Sequence, residues 1–244
     1  MPLISIGLLQ QQQAAISSTH SQPTLPNIHQ NWSFIDEFER DSLTPTDAYE
    51  LYTVSANGAG TGTIQVSDRL RLLTGANIGD DVSVRCSGAV FRRVARDAAI
   101  DPRTTMIFNI IFAVGTATSN EMFIGIVNDV TALTALPTTI GHMGMFVDQS
   151  AEANFRLSSG NGTTQIDTDS TEAVDTDTHR LQITWNGLNS GLIEYFSALD
   201  DVSPLASVTV TSLGVNRAAI HFFEQTEAAA TRDLLVFDWS NRIT

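Results

Sequence analysis

From residue 32 onward, the chain is a succession of short segments in which apolar and polar residues alternate, separated by turns rich in glycine, threonine and asparagine. In HRLQITWNGLNSGLIEYF, residues 179–196, two such segments are joined by NGLNSG. A period of two is typical of half-buried β-strands, and Asn and Gly tolerate the positive φ that a tight reversal needs. Long helical periodicity is absent. The pattern therefore predicts about a dozen strands in an all-β, antiparallel two-sheet β-sandwich.

Several segments also predict which side chains face the core. Around the segment SVRCSGAVF, Val82, Val84 and Cys86 alternate with the polar Ser83, Arg85 and Ser87, so the three are predicted to share a buried face. Cys86 is the only cysteine, which excludes a disulfide within the chain and favours a small buried apolar role. The segment MIFNIIFAV, residues 106–114, is apolar on both faces and is predicted to be a central strand between two packed layers.

The charge balance narrows the choice of partners. The 244-residue chain carries 27 acidic and 13 basic residues, all of the latter arginine, for a net charge of −14. Nucleic acids and anionic lipids are bound by clustered cations, so we expect neither as a partner. No segment approaches the roughly 20 apolar residues of a membrane-spanning helix. A chain of this length is sufficient to bury a large core as one domain.

The first 31 residues differ from the rest. An apolar start is followed by a glutamine run and by a segment in which Pro23 and Pro26 disfavour a helix or a central strand. The segment is either a disordered terminus or an extended arm that orders on a neighbouring subunit. We predict the arm, over residues 1–31, ahead of a sandwich over residues 32–244. The predicted partner-binding side chains are Leu3, Ile4, Ile6, Leu8 and Leu9.

Segments of the C-terminal half follow one another in a recognisable order: NFRLSSGNGTTQIDTD, THRLQITWNG, GLIEYF, ASVTVTS and TRDLLVFDWSNR. Their order and spacing resemble the concanavalin A-like lectin/glucanase jelly roll, and more narrowly its versions in phage structural proteins. The resemblance covers residues 32–244 and rests on spacing more than on any invariant motif. It implies the jelly-roll fold, which hosts lectins, hydrolases and pure scaffolds.

A jelly roll preceded by an arm looks like a virion component, either a capsid decoration protein or a tail-associated protein. We therefore predict a non-enzymatic virion structural protein in an extracellular particle, a homo-oligomer that binds other virion proteins through its arm. The alternative is a carbohydrate-binding, lectin-like adhesion module for host-surface glycans. A polysaccharide hydrolase is a third, less favoured hypothesis.

The glucanase branch of this fold carries E-x-D-x-x-E on one strand, which sets its carboxylates on one face. This chain has no such motif. The nearest segment is FIDEFERD, where Glu37 and Glu39 share a face without a third carboxylate at the required spacing. We interpret it as a solvated acidic edge strand.

Nucleophilic triads are not predicted either, because no serine lies in a G-x-S-x-G elbow. His179 directly precedes a strand and is expected to be exposed, and His221 is expected to be partly buried within one. The histidines, which occupy unrelated contexts, are His20, His29, His142, His179 and His221. We predict no catalytic residues.

One acidic segment offers candidate ligands for calcium. The segment IDTDSTEAVDTDTH is rich in carboxylates of the kind that bind calcium, but it lacks the EF-hand spacing. We predict no cofactor and leave calcium open as an alternative; its candidate ligands are Asp167, Asp169, Asp175 and Asp177.

Aromatic side chains are the usual platforms for sugars. Trp185 and Trp239 align with apolar strand positions and are predicted to be core residues, and Trp32 is expected to close the sandwich where the arm leaves it. Tyr195 is the remaining aromatic candidate. None is assigned as a carbohydrate-binding residue.

Overall fold

The computed structural model describes residues 33–36, 52–65, 69–86, 105–128, 132–150, 153–186, 190–210 and 218–243. Every regular element in these ranges is a β-strand. The strands are β1 (Ser33–Asp36), β2 (Tyr52–Asn57), β3 (Thr61–Gln65), β4 (Arg69–Leu73), β5 (Asp81–Cys86), β6 (Thr105–Val114), β7 (Asn120–Asn128), β8 (Gly141–Asp148), β9 (Asn154–Asn161), β10 (Gln165–Ala173), β11 (Thr178–Asn186), β12 (Ser190–Phe196), β13 (Ala206–Val210), β14 (Ala218–Thr226) and β15 (Asp233–Ile243).

The strands form two antiparallel sheets. The eight-stranded sheet has the order β13-β12-β11-β6-β15-β4-β3, with β1 also paired to β15, and the seven-stranded sheet has the order β10-β9-β8-β7-β14-β5-β2. This architecture confirms the predicted all-β, two-sheet sandwich. No helix in the described ranges is long and apolar enough to cross a membrane.

The core lies between the sheets and is formed by alternate residues of the strands. Val82, Val84 and Cys86 are fully buried in it, as predicted, and so is Trp185. The predicted hairpin is present as β11 and β12, in which Leu181 faces Tyr195 and Ile183 faces Ile193. Short-range alternation was therefore sufficient to predict these buried faces.

Some burial predictions were wrong. Strand β6 is central, between β11 and β15, but from Thr105 to Phe112 its residues alternate between half-buried and buried positions, so over this stretch only one of its faces belongs to the core. His179 was expected to be exposed and is fully buried, because β11 begins at Thr178 and places His179 on the same face as Leu181. His221 was expected to be partly buried and is fully buried within β14.

Other predictions lie outside the described residues. They concern the arm over residues 1–31, with Leu3, Ile4, Ile6, Leu8 and Leu9, and also His20, His29, Trp32, Glu37 and Glu39. The backbone of Trp239 pairs with Ile110, but the burial of its indole is not among the described features. The boundary between arm and sandwich and the partner-binding role of the arm both stay predictions.

Candidate functional site

Strands β8, β9 and β10 bring polar side chains together on the face of the seven-stranded sheet that is turned away from the core. The strand register places them in three cross-strand rows. We call this surface the β8–β10 patch; its rows are His142–Gly160–Gln165, Gly144–Ser158–Asp167 and Phe146–Arg156–Asp169. The intervening residues of the same strands, such as Met143, Met145 and Leu157, belong to the core. Alternation thus directs the polar set outward.

A chain of hydrogen bonds crosses the patch. The Gln165 amide donates to Ser158 Oγ at 3.2 Å and to the two oxygens of Asp167 at 2.9 and 3.1 Å. His142 Nε2 lies 2.8 Å from Ser158 Oγ, and its Nδ1 lies 2.9 Å from the carbonyl oxygen of Ile140. A carbonyl oxygen only accepts, so Nδ1 carries the proton and Ser158 donates to Nε2.

Burial stabilises the neutral form of this imidazole and lowers the pKa of His142; the Ile140 carbonyl opposes the shift. The neutral ring holds Ser158 in one orientation. Both N–H groups of Gln165 are also engaged within the patch. On β10 the exposed polar groups of the patch are the carboxylates of Asp167 and Asp169, which are hydrogen-bond acceptors, and the half-exposed Arg156 of β9 lies in the same row as Asp169.

The Asp169 carboxylate is exposed at the end of the patch. It accepts the backbone N–H of Thr171 at 2.7 Å and the side-chain amide of Asn154 at 3.1 Å. The Thr171 N–H, followed by the Asn154 amide, lowers the pKa of Asp169, because donors to a carboxylate favour its charged form. Asp169 is thus held as a fixed, ionised acceptor.

Residues 132–140, in the loop between β7 and β8, cover the neighbouring part of the same sheet face. Phe123, Val127, Phe146 and Phe223 form a second apolar cluster there with Leu133 of the loop, and Leu136 and Ile140 pack against it. The loop is tied down by bonds from Leu133 N–H to Ser83 Oγ and from Leu136 N–H to Glu121 Oε1, both 3.1 Å. The cluster closes the β7–β14 side of the face, whereas Asp167 and Asp169 on β10 are exposed.

Glu121 is the carboxylate at the edge of this covered region. Burial, together with the nearby Glu227 and Asp148, raises the pKa of Glu121 to about 7. A carboxyl group with this pKa can serve as a proton donor near neutral pH. The next outward positions on β7 are Phe123 and Gly125, so the strand offers one carboxylate where E-x-D-x-x-E supplies three.

The candidate calcium ligands are not brought together. No group of three or more His, Cys, Asp or Glu side chains among the described residues could hold a metal ion. Asp167 and Asp169 lie on the outer face of β10, whereas Asp175 lies beyond the end of that strand and contacts His179 Nε2 at 3.0 Å.

A second polar cluster, formed by the fully buried His179 and Tyr195 with the half-buried Glu172 and Ser197, was not predicted from the sequence. Tyr195 donates to Glu172 Oε2 at 2.5 Å, and Ser197 Oγ donates to Glu172 Oε1 at 2.7 Å. His179 Nδ1 lies 3.0 Å from the Ser197 carbonyl oxygen and donates to it. Burial, followed by the Glu172 carboxylate, raises the pKa of Tyr195. The phenol therefore stays protonated and serves as a donor.

The burial of Trp185 and Tyr195 shows whether these two aromatic residues can bind a sugar. Trp185 and Tyr195 are both fully buried, so neither can present a face to a sugar in this conformation. Sequence reasoning overlooked the β8–β10 patch, although a signal was available: Arg156 and Ser158, and then Gln165, Asp167 and Asp169, occupy alternate positions on either side of the turn NGTT. A hairpin across that turn places them on one face.

No protein-family model matches the sequence, and no curated protein matches it either. Solved structures do match the fold. Peanut lectin is 9% identical, with 88% of this chain and 97% of the lectin covered and a TM-score of 0.59. Lectin I from Ulex europaeus, in complex with the methyl glycoside of α-L-fucose, is 10% identical, with 88% and 98% covered and a TM-score of 0.57.

A pseudo β-1,3-glucanase and immunostimulatory antigen of Mycobacterium tuberculosis is 13% identical, with 85% of this chain and 97% of that protein covered and a TM-score of 0.57. The chain thus has the concanavalin A-like β-sandwich fold. Its structural neighbours include legume lectins and glycoside hydrolase-like proteins. At these identities the likeness shows the fold alone.

Proposed function

We propose that the protein is a non-enzymatic, lectin-like module that binds carbohydrate at the β8–β10 patch. The observation that carries the proposal is the exposed pair of carboxylates on alternate residues of β10, Asp167 and Asp169, each oriented by amide donors. Sugars present several hydroxyl groups that can each donate a hydrogen bond. A rigid sheet face with oriented acceptors binds such a ligand without first having to order itself.

The internal hydrogen bonds of the patch support this role. Because Gln165 and Asn154 donate to the carboxylates, the two side chains fix the acceptors and leave oxygen lone pairs toward solvent. Lectins that share the fold support the proposal further, among them the Ulex europaeus lectin whose structure holds a fucose glycoside.

Two features support a non-enzymatic role. The Ser158–His142 pair has the hydrogen-bonding arrangement of a nucleophile and a base, but both side chains are essentially inaccessible to solvent. Glu121 has a raised pKa, yet its outward neighbours on β7 are Phe123 and Gly125, and Leu136 N–H occupies one of its oxygens. The hydrolase hypothesis at Glu37 and Glu39 concerns residues outside the described ranges.

A glycan array tests the proposal directly. We expect binding to one class of glycan, and we expect Asp167→Asn to weaken it by at least about tenfold, because a fixed acceptor is replaced by a group that also presents donors. Asp200→Asn is the matched control, since it removes the same charge from an exposed position on the loop between β12 and β13. An array without binding, or equal affinities for wild type, Asp167→Asn and Asp169→Asn, would contradict the proposal.

The virion structural role is a second proposal, and it rests on the uncharged, apolar start of the sequence. In it, residues 1–31 bind other virion proteins, and the sandwich serves as a framework or as an adhesion module. Deleting residues 1–30 is expected to leave a folded sandwich that no longer enters particles. Normal incorporation of the truncated chain, measured by mass spectrometry of purified particles, would rule out this role for the arm.

A further inference from the structure

We propose that Glu172, bonded to the buried Tyr195, is a positioning residue that holds a β-bulge in β10 and thereby sets the orientation of Asp169 in the glycan-binding patch. The inference rests on the proposed carbohydrate-binding function. It states that Glu172 contributes to the affinity of the patch for a sugar without contacting the sugar. It follows from two sets of hydrogen bonds on adjacent residues of β10: Tyr195 and Ser197 donate to the Glu172 side chain, and the Thr171 N–H donates to Asp169.

The bulge is visible in the strand register. Asp169 pairs with Arg156 and Ala173 pairs with Asn154, so four steps along β10 face two along β9. Thr171, within the bulge, has φ of 66°. This is the left-handed region, which a β-branched residue rarely adopts and which persists only when surrounding contacts impose it.

On the outer side, the bulge is joined to the patch. The N–H of Thr171 donates to Asp169 Oδ1 at 2.7 Å. The left-handed conformation of Thr171 directs its N–H at the carboxylate of Asp169. If the bulge relaxed to a regular strand, Asp169 would lose this donor and its present orientation.

On the inner side, the bulge is joined to the core. The two oxygens of Glu172 accept bonds from Tyr195 at 2.5 Å and Ser197 at 2.7 Å. Tyr195 is fully buried, and its ring packs against Phe155, with centroids 5.4 Å apart, and against His179, at 5.6 Å. A side chain packed in this way cannot follow β10 if the strand moves. The half-buried Glu172 carboxylate is therefore held at a fixed point beside the buried Tyr195 ring.

The two sets of bonds belong to adjacent residues. Glu172 is held by the buried Tyr195 of β12 and by Ser197, which follows that strand, and Thr171, one residue earlier, is in the left-handed region and donates to Asp169. Loss of the carboxylate at position 172 frees the bulge to relax, which reorients an exposed side chain on the opposite face of the strand. Asp167 lies before the bulge, in regular pairing with Ser158, and is not coupled to it in this way.

The test combines affinity with local dynamics in the full-length chain. The variants are Glu172→Ala, Asp169→Asn and the double variant; Glu194→Ala is the control, because Glu194 also accepts a side-chain bond, from Gln182 at 2.8 Å, but on the eight-stranded sheet. We measure the Kd for an array-positive glycan and the amide hydrogen exchange of residues 165–173. Glu172→Ala is expected to raise the Kd about tenfold and to speed exchange over residues 169–173, whereas Glu194→Ala changes neither.

The double variant separates positioning from general destabilisation. If Glu172 acts through Asp169, adding Glu172→Ala to Asp169→Asn raises the Kd by less than about threefold. Additive effects of the two substitutions, or unchanged exchange over residues 169–173 in Glu172→Ala, overturn the inference while leaving glycan binding intact. If the wild-type chain binds no glycan, the proposed function is overturned, and so is the claim that Glu172 affects affinity. The exchange measurement alone then decides whether Glu172 holds the bulge.

Discussion

Replacing Phe155 with alanine is expected to lower the free energy of unfolding by about 3–5 kcal/mol, the range for truncating a large aromatic residue in a well-packed core. Phe155 is on β9 in the seven-stranded sheet and is fully buried. Its ring meets Phe112 of the opposite sheet edge-on, with centroids 6.1 Å apart, and His179 at 4.9 Å. Truncation would remove contacts between the two sheets and leave a cavity beside a buried imidazole.

Urea unfolding followed by tryptophan fluorescence measures the change. Val202→Ala is the control, since Val202 is 97% exposed in the loop between β12 and β13; its unfolding free energy should stay within about 0.5 kcal/mol of wild type. A loss of less than about 1 kcal/mol for Phe155→Ala would mean that Phe155 does not pack against Phe112 and His179 of the opposite sheet.

The buried faces of the strands were predictable from the sequence because their cause is local. Successive side chains of a strand point to opposite faces, so Val82, Val84 and Cys86 share a face whatever the rest of the chain does. The same logic, extended backward from Leu181, would have predicted that His179 is buried. The error lay in where β11 begins, and strand ends are set by pairing with β6, which sequence alternation does not encode.

The β8–β10 patch depends on longer-range information. Ser158 and Asp167 are joined across a hairpin, and this pairing was within reach of sequence analysis. The contact between His142 and Ser158 also requires the register of β8 against β9. The bulge at Thr171 has no sequence signature, because DSTEA contains neither glycine nor asparagine at the residue with positive φ. Its cause is tertiary, in the donors that hold Glu172.

Glu224 is the second position at which a large effect is expected. It is fully buried, lies on the core-facing side of β14 next to Phe222, and neither carboxylate oxygen has a hydrogen-bond partner in the part of the chain that the structure describes. Burial, followed by the nearby Asp233, raises the pKa of Glu224 well above its ordinary value, and Arg232 opposes the shift only in part. An ionised carboxylate here is strongly destabilising.

The pH dependence follows from the direction of that shift. A folded-state pKa above the unfolded value of 4.5 means that the folded chain keeps the proton to higher pH. The stabilising contribution is therefore fully present below pH 4.5 and is lost as the pH rises through the folded-state value. Glu121, with its pKa raised to about 7, acts in the same direction.

Glu224→Met replaces this carboxylate with an apolar side chain of similar length. By analogy with buried ion pairs, whose replacement by apolar residues stabilises by up to about 4 kcal/mol, we expect it to raise the free energy of unfolding at pH 8 by about 1–4 kcal/mol. The gain should be smaller at pH 5, where the wild-type group is already protonated in the fold. Urea unfolding at the two pH values measures both quantities.

Glu194→Met, on the half-exposed face of β12, serves as the control and should show no gain that grows with pH. The Glu224→Met chain should still lose some stability between pH 5 and pH 8, and adding Glu121→Gln is expected to remove most of that loss. Among the carboxylates of the described sheets, these two have the pKa values that are raised furthest. A Glu224→Met chain that is less stable than wild type at pH 8 would show instead that the carboxylate stabilises the fold. In that case Arg232, rather than protonation, would account for its place in the core.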